Sequence, residues 1–193
     1  MNKGKIILIS AVSTDGAIGH DSKLLWNIRE DLEYYKSRTL LSVYKGPYEK
    51  IHFDERNCLV MVGVNTYLGL PRAAKKKRHY LVITGSQELS IQEFLDYDNA
   101  EFWTKFSTPQ EAIKFRDDYY RNADIFIAGG SLLYSSCIDY CDEAEITWVN
   151  RKYPDANKRF PLDKLSESFI ISEDGEWKKE GEIEYKFTKY IKK

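Results

Sequence analysis

Lys5-Ile6-Ile7-Leu8-Ile9-Ser10-Ala11-Val12 decides the fold. A strand with one wet face alternates apolar and polar residues; this run barely alternates, so both of its faces must be covered. The same signature returns in Cys58-Leu59-Val60-Met61-Val62, in Tyr80-Leu81-Val82-Ile83-Thr84 and in Asp124-Ile125-Phe126-Ile127-Ala128, each followed by a glycine or a turn residue. Between the runs lie segments of helical spacing. One begins near Asp31-Leu32 and continues through Tyr35 toward Thr39. Another follows Thr108-Pro109, with Ala112, Phe115 and Tyr119 recurring at three to four residues. There Thr108 suits the N-cap, Pro109 the first helical position, and Glu111 closes a capping box. Strands alternating with helices predict an α/β sheet with helices on both faces.

After Asp139 the rhythm changes. Glu145-Ile146-Thr147-Trp148-Val149-Asn150 and Glu184-Tyr185-Lys186-Phe187-Thr188-Lys189-Tyr190 alternate, and they read as half-exposed strands near a sheet edge with no long helix between them. A mostly parallel sheet with an antiparallel C-terminal edge follows. Leu40 to Asn57, with Gly46-Pro47 in its middle, reads as a surface loop. No repeat, low-complexity tract or linker interrupts the chain, so residues 1–193 are expected to form a single domain.

Composition bounds the function. A chain of 193 residues is long enough to bury a real core, and 42% hydrophobic with 31% charged residues is an ordinary soluble balance. A net charge of -1 offers nothing to a polyanion, so no nucleic-acid partner is expected. The apolar run after Lys5 is too short for a signal-peptide core, and no stretch approaches the ~20 apolar residues of a membrane helix, so a cytoplasmic location is expected. Cys58, Cys137 and Cys141 are too few for a disulfide framework and read as reduced thiols, the last two as small hydrophobes on one helix face. His20, His52 and His79 are scattered, read as surface or loop residues, and suggest no metal site.

Two places carry chemistry. Asp31 lies one turn before Tyr35, so the two share a helix face flanked by Leu32. A carboxylate beside an aromatic and a leucine suits a desolvated pocket for a polar ligand, although an acid in a first turn also simply favours the helix dipole. The pair Gly129-Gly130 after a buried strand permits close approach of a ligand to the backbone, or merely a turn.

Taken together, these segments resemble the dihydrofolate reductase family. Ile18-Gly19, Trp26 and Asp31 stand at the intervals of its N-terminal pattern. Its second pattern appears as Met61-Val62-Gly63-Val64-Asn65-Thr66-Tyr67, and its third as Ile125-Phe126-Ile127-Ala128-Gly129-Gly130-Ser131-Leu132-Leu133-Tyr134. Thr147 followed by Phe160-Pro161 completes the set. The resemblance implies a three-layer αβα fold around a mixed, mostly parallel eight-stranded sheet with an antiparallel C-terminal edge strand. It implies an oxidoreductase that reduces 7,8-dihydrofolate to tetrahydrofolate with NADPH in one-carbon metabolism, most often a monomer, inhibited by antifolates such as methotrexate. Asp31, Trp26 and Thr147 take the catalytic positions. Ile9, Ala11, Leu32, Tyr35, Leu70 and Ala128 line the folate slot, and Arg78 takes the carboxylate of its glutamate tail. Ala11, Ile18, Gly19, Gly63, Val64, Asn65, Thr66, Thr84, Gly85, Ser86, Gly129, Gly130, Ser131, Leu132, Leu133 and Tyr134 fall at the cofactor, with Gly129 and Gly130 joined by a cis peptide.

The chain departs from the family at several points. Leu25 precedes Trp26 where Pro is usual, and Val64 and Leu132 stand where basic residues are common, which bears on the preference for NADPH over NADH. Lys75-Lys76-Lys77-Arg78 replaces Leu-Pro-Gly-Arg, and a basic run of this kind otherwise reads as a solvated surface. Asp155-Ala156-Asn157-Lys158 only loosely matches Gly-Asp-Thr. The alternatives are a reductase of another pterin or of a ribosylated pyrimidine on the same scaffold, and a folate- or nucleotide-binding protein without turnover.

Overall fold

The computed structural model of the chain describes residues 3–21, 23–40, 58–85 and 103–193. Beyond Leu40, the segment expected to be a surface loop lies outside the described residues, as do His52 and Ser86. The four buried runs form β1 (Ile6–Ser13), β3 (Cys58–Gly63), β4 (His79–Ile83) and β6 (Asp124–Ile127). They pair in parallel, β1 with β6, β6 with β3, β3 with β4, and β4 with β5 (Trp103–Phe106). On the other side of β1 lies β7 (Glu143–Val149), also parallel, and then β11 (Ile183–Lys192), which runs antiparallel to it. Along the outer side of β11, β9 (Phe169–Asp174) and β10 (Lys178–Glu180) pair with its two halves, so the sheet is eight strands across. A separate ribbon joins β2 (Ala17–Gly19) to β8 (Lys158–Arg159).

Residue parity sorts the core into two layers. Leu8, Leu59, Met61, Leu81, Ile125 and Ile127 face the helices α4 (Pro109–Tyr119), α5 (Ser131–Cys137) and α6 (Leu162–Ser168), which contribute Ala112, Leu133, Cys137 and Leu165. Their neighbours in sequence, among them Ile7, Ile9, Val60, Val62 and Phe126, face α1 (Arg29–Thr39) and α2 (Val64–Gly69), whose Tyr34, Tyr35 and Tyr67 pack on them. Burying each such side chain contributes about 1.5–3 kcal/mol, and continuous apolar runs are the composition this double coverage requires. A short helix, α3 (Arg72–Lys75), leads into β4. The α4 capping box is present as expected: Glu111 N–H donates to Thr108 Oγ1 at 3.3 Å, and the Glu111 carboxylate accepts from Thr108 N–H.

Two expectations are corrected. The alternating segment after Asp142 is not a half-exposed edge strand: β7 is almost wholly buried between β1 and β11. Its polar positions Glu145 and Thr147 are covered by α1 and carry hydrogen-bond partners there, which satisfies them without water. His79 is likewise not a surface histidine. It begins β4 with its ring edge-on to Phe115 and Tyr120, centroids 6.3 and 5.8 Å away, and its Nε2 lies 3.0 Å from Thr104 Oγ1.

Burial pulls His79 down from the ordinary 6.5 to about 4. Between those values the unfolded chain binds the extra proton, so stability is fully present above pH 6.5 and is lost as pH falls toward 4. Urea unfolding should show wild type losing roughly 2 kcal/mol more than His79→Gln between about pH 7.5 and pH 5. Equal losses would mean that His79 titrates normally.

Candidate functional site

Parallel pairing brings the C-terminal ends of β1, β3, β4 and β6 to one edge of the sheet, where open α/β sheets bind ligands. Gly63, Thr84, Ala128 and Gly129 all stand at that edge. Two bonds weld β3 to β6 there: Gly63 N–H donates to Gly129 O at 2.8 Å, and Ala128 N–H to Met61 O at 2.9 Å. The Gly129–Gly130 peptide is cis.

The glycines are tied to their surroundings. Gly129 has φ +110°, and a Cβ there would sit 3.3 Å from Tyr134 Oη. A Cβ on Gly130 would sit 3.2 Å from Thr66 Oγ1. Side chains at these positions would occupy the space beside the first turns of α2 and α5. Ser131 Oγ, in the first turn of α5, is buried without a hydrogen-bond partner. Leu133 and Tyr134 are buried, and Tyr134 donates to Ile9 O at 2.9 Å, fastening α5 to β1. Leu132 is 88% exposed, Asn65 is exposed, and Val64 is buried. Thr84 is buried, with Oγ1 directed at Phe106 O (3.3 Å), beside an exposed Gly85 of φ +61°.

On the α1 side, Asp31 is partly covered in the first turn and bonds to the Thr147 hydroxyl of β7. Burial pushes its carboxyl up, and the Thr147 bond opposes the shift. Trp26 is buried against Tyr153 (centroids 5.4 Å apart), in a cluster with Ile28, Val149 and Tyr185 that Ala11 abuts. Ile9, Tyr35 and Ala128 pack together, Leu70 joins the neighbouring cluster, and Leu32 is 49% exposed. Ile18 and Gly19 lie in β2, held over this edge by Arg159, whose Nη1 donates to Asp15 O and Oδ2 at 3.0 Å.

The basic run is solvated only in its middle, at Lys76 and Lys77. Lys75 and Arg78 are buried, Lys75 over the Tyr67 ring and Arg78 over the Tyr35 ring. Arg78 donates through Nε to Thr39 Oγ1 (2.8 Å) and through Nη1 to Ala74 O (2.5 Å), so a carboxylate would meet the remaining N–H groups of its fork. The structure thus gathers Asp31, Thr147, Tyr35 and Arg78 around α1, and Gly63, Thr66, Gly129, Gly130 and Ser131 around the starts of α2 and α5.

Sequence reasoning missed the residues that hold α1. Arg29 N–H, the first helical donor, has no capping side chain on its own segment; both oxygens of Glu180 accept it at 3.1 Å from β10. Arg38 and Tyr34 bond to Glu145. The one available signal was period two, which puts Glu145 on the same strand face as Thr147.

Comparison with known proteins adds an independent line. The family model described as dihydrofolate reductase matches residues 5–44 and 51–192. The dihydrofolate reductase of Mycoplasma genitalium is 24% identical over 150 residues, 77% of this chain and 78% of that one. That of Aedes albopictus is 25% identical over 199 residues, 97% of each chain. That of Bacillus subtilis is 22% identical over 189 residues, covering 97% of this chain and 95% of the relative.

A raised carboxyl means that ionising Asp31 costs the folded state. Stability therefore falls as pH rises from the ordinary 3.8 through the folded value and stays lower above it. Asp31→Asn, which removes the charge at constant size, should melt higher than wild type near neutral pH, with the gain vanishing once acid protonates both states. A lower melting temperature at neutral pH would contradict the desolvated placement.

Proposed function

The chain belongs to the dihydrofolate reductase family, and from that premise we propose that it reduces 7,8-dihydrofolate to 5,6,7,8-tetrahydrofolate with NADPH, as a cytoplasmic enzyme. The observation that carries the proposal is the half-buried carboxylate of Asp31, bonded to Thr147 beside Tyr35 on the ligand-binding edge of the sheet.

Asp31 pairs with the 2-amino group and N3 of the pterin. Two hydrogen bonds accepted by one carboxylate fix the ring's orientation in its plane. Its negative charge also favours protonation at N5, the proton that must accompany reduction at C6. Thr147 holds the carboxylate in place, and Trp26 walls the pocket and holds an ordered water beside it. Ile9, Ala11, Leu32, Tyr35, Leu70 and Ala128 line the slot. Arg78 meets the carboxylate of the glutamate tail, its guanidinium already oriented by Thr39 and Ala74.

The residues at the other end fit a dinucleotide. Ser131 Oγ is a buried oxygen without a partner, and a Cβ on Gly129 or Gly130 would press on Tyr134 or Thr66, so glycine keeps this turn close to both helix starts. Gly63, Val64, Asn65, Thr66, Ser131, Leu132 and Leu133 would hold the phosphates, mainly through helix-start amides. Thr84, Gly85 and Ser86 would hold the adenosine end, and Ala11, Ile18, Gly19 and Tyr134 the nicotinamide. When bound, NADPH supplies the hydride for C6. With Leu132 exposed and Val64 buried, the first turns of these helices bring no cation to the phosphates, so discrimination against NADH rests on the adenosine end.

Absorbance at 340 nm, followed with NADPH and dihydrofolate and with NADH and methotrexate controls, tests the activity. Inhibitor-sensitive loss is expected. Its absence from well-folded protein would redirect the search to another pterin or a ribosylated pyrimidine. Asp31→Asn should lower kcat/KM by at least about a hundredfold at neutral pH while leaving NADPH affinity intact. Gly129→Ala should weaken NADPH binding in a fluorescence titration, and unchanged affinity would remove Gly129 from the site.

A further inference from the structure

The helix that carries Asp31 is poorly supplied with hydrophobic anchors. Of its eleven residues only Thr39 is fully buried, while Tyr34 and Tyr35 are partly so. Its placement therefore depends heavily on polar contacts: Thr39 with Arg78 at the end of the helix, and Arg38 and Tyr34 with Glu145. That carboxylate is 3% exposed. It accepts from Arg38 Nη2 at 2.7 Å and from Arg38 Nε at 3.0 and 3.1 Å, and Tyr34 Oη donates to it at 2.9 Å. The Arg38 guanidinium in turn lies 5.2 Å from the Phe126 ring centroid, and Tyr34 packs on Phe187, centroids 4.9 Å apart.

Register connects this cluster to the candidate site. Glu145 and Thr147 are two residues apart on β7 and so point to the same face, about 7 Å from one another. Asp31 and Arg38 are seven residues apart on α1 and so share its sheet-facing side, about 10 Å along the axis. Two helix–strand contacts, Asp31 with Thr147 and Arg38 with Glu145, define how far α1 sits along β7. The Glu180 cap at the start of α1 and the Arg78 bond to Thr39 at its end complete the anchoring. The remaining charges near the cluster are farther out: Asp124 acts on Arg38, Glu173 acts on Tyr34, and Lys189, opposite Glu145 on β11, is paired with Glu173.

We propose that Glu145 is a positioning residue for Asp31, fixing α1 on β7 in the register that presents Asp31 to Thr147 and neutralising the Arg38 guanidinium two turns away on the same helix face. This rests on Asp31 being the pterin-binding carboxylate. Replacing Glu145 by Gln keeps the side chain's size and an acceptor for Tyr34, but it loosens the bidentate pair and leaves the Arg38 charge uncompensated.

The test is a double-mutant cycle of Glu145→Gln with Asp31→Asn, with kcat and both KM values measured for each protein. Glu145→Gln should raise KM for dihydrofolate and lower kcat, together by about tenfold in kcat/KM. KM for NADPH should stay within about twofold, and the substitution should add almost nothing in the Asp31→Asn background. An equal loss in both backgrounds, or an equal rise in both KM values, would reduce Glu145 to a stability role and overturn the proposal. If Glu145→Gln does not fold, Tyr34→Phe removes one bond to Glu145 without touching the ion pair and carries the same cycle with a smaller loss. Carbon-13 titration of the Asp31 carboxyl in the ligand-free protein gives a readout without turnover. In Glu145→Gln its midpoint should move up, because the Thr147 bond that holds it down is weakened, and an unmoved midpoint would also overturn the proposal. A wild-type protein inactive on dihydrofolate would defeat the proposed function, while this titration would still decide the coupling of Glu145 to Asp31.

Discussion

Parallel pairing across the centre of the sheet is the constraint from which the rest follows. Ile7 opposite Phe126, Val60 opposite the same Phe126, and Val60 opposite Tyr80 set a register in which four successive strands run in step. Parallel strands need crossovers, so helices must cover both faces, and the glycine-bearing turns must collect at one edge. Slipping any strand by one residue would exchange the two core layers and bury the wrong side chains. The welding of Gly63 to Gly129 is therefore a consequence of core packing far from the edge itself.

The two faces of this sheet are unequal. The α4–α5–α6 side holds Leu8, Met61 and Ile127 in one continuous cluster, with Arg116 and His79 as buried polar groups beside it. On the α1–α2 side, Glu145, Thr147, Thr39 and Arg78 are buried among the hydrophobic residues, and Asp31 is half covered beside them. Each of these polar groups costs desolvation and is acceptable only with its partner in place. A carboxylate that is uncomfortable when ionised is also one that gains from a ligand offering two N–H donors. Stability and recognition pull in opposite directions at Asp31.

Much of this was legible in the residues. Buried strands announce themselves by the absence of alternation, and β1, β3, β4 and β6 fall where those runs lie. The capping box at Thr108 and Glu111 is a local pattern and appears as expected. β7 misleads because its alternation is real but its polar residues face a helix instead of water. His79 and the pair Lys75 and Arg78 mislead in the same way: a polar residue looks exposed until a neighbour distant in sequence covers it. Thr104, Tyr67 and Tyr35 are those neighbours.

By itself the sequence determined the four buried strands, the helices α1 and α4, the glycine turns and the presence of Asp31 at a helix start. These depend on period, propensity and backbone freedom, which act within a few residues. Only the tertiary structure decided that Asp31 meets Thr147, that Glu145 bonds Arg38 and Tyr34, that Glu180 caps α1 from β10, and that Ser131 Oγ is buried without a partner. Each of these joins residues separated by a long stretch of chain or depends on what surrounds them, and a buried polar group is distinguished from an exposed one only by what packs over it.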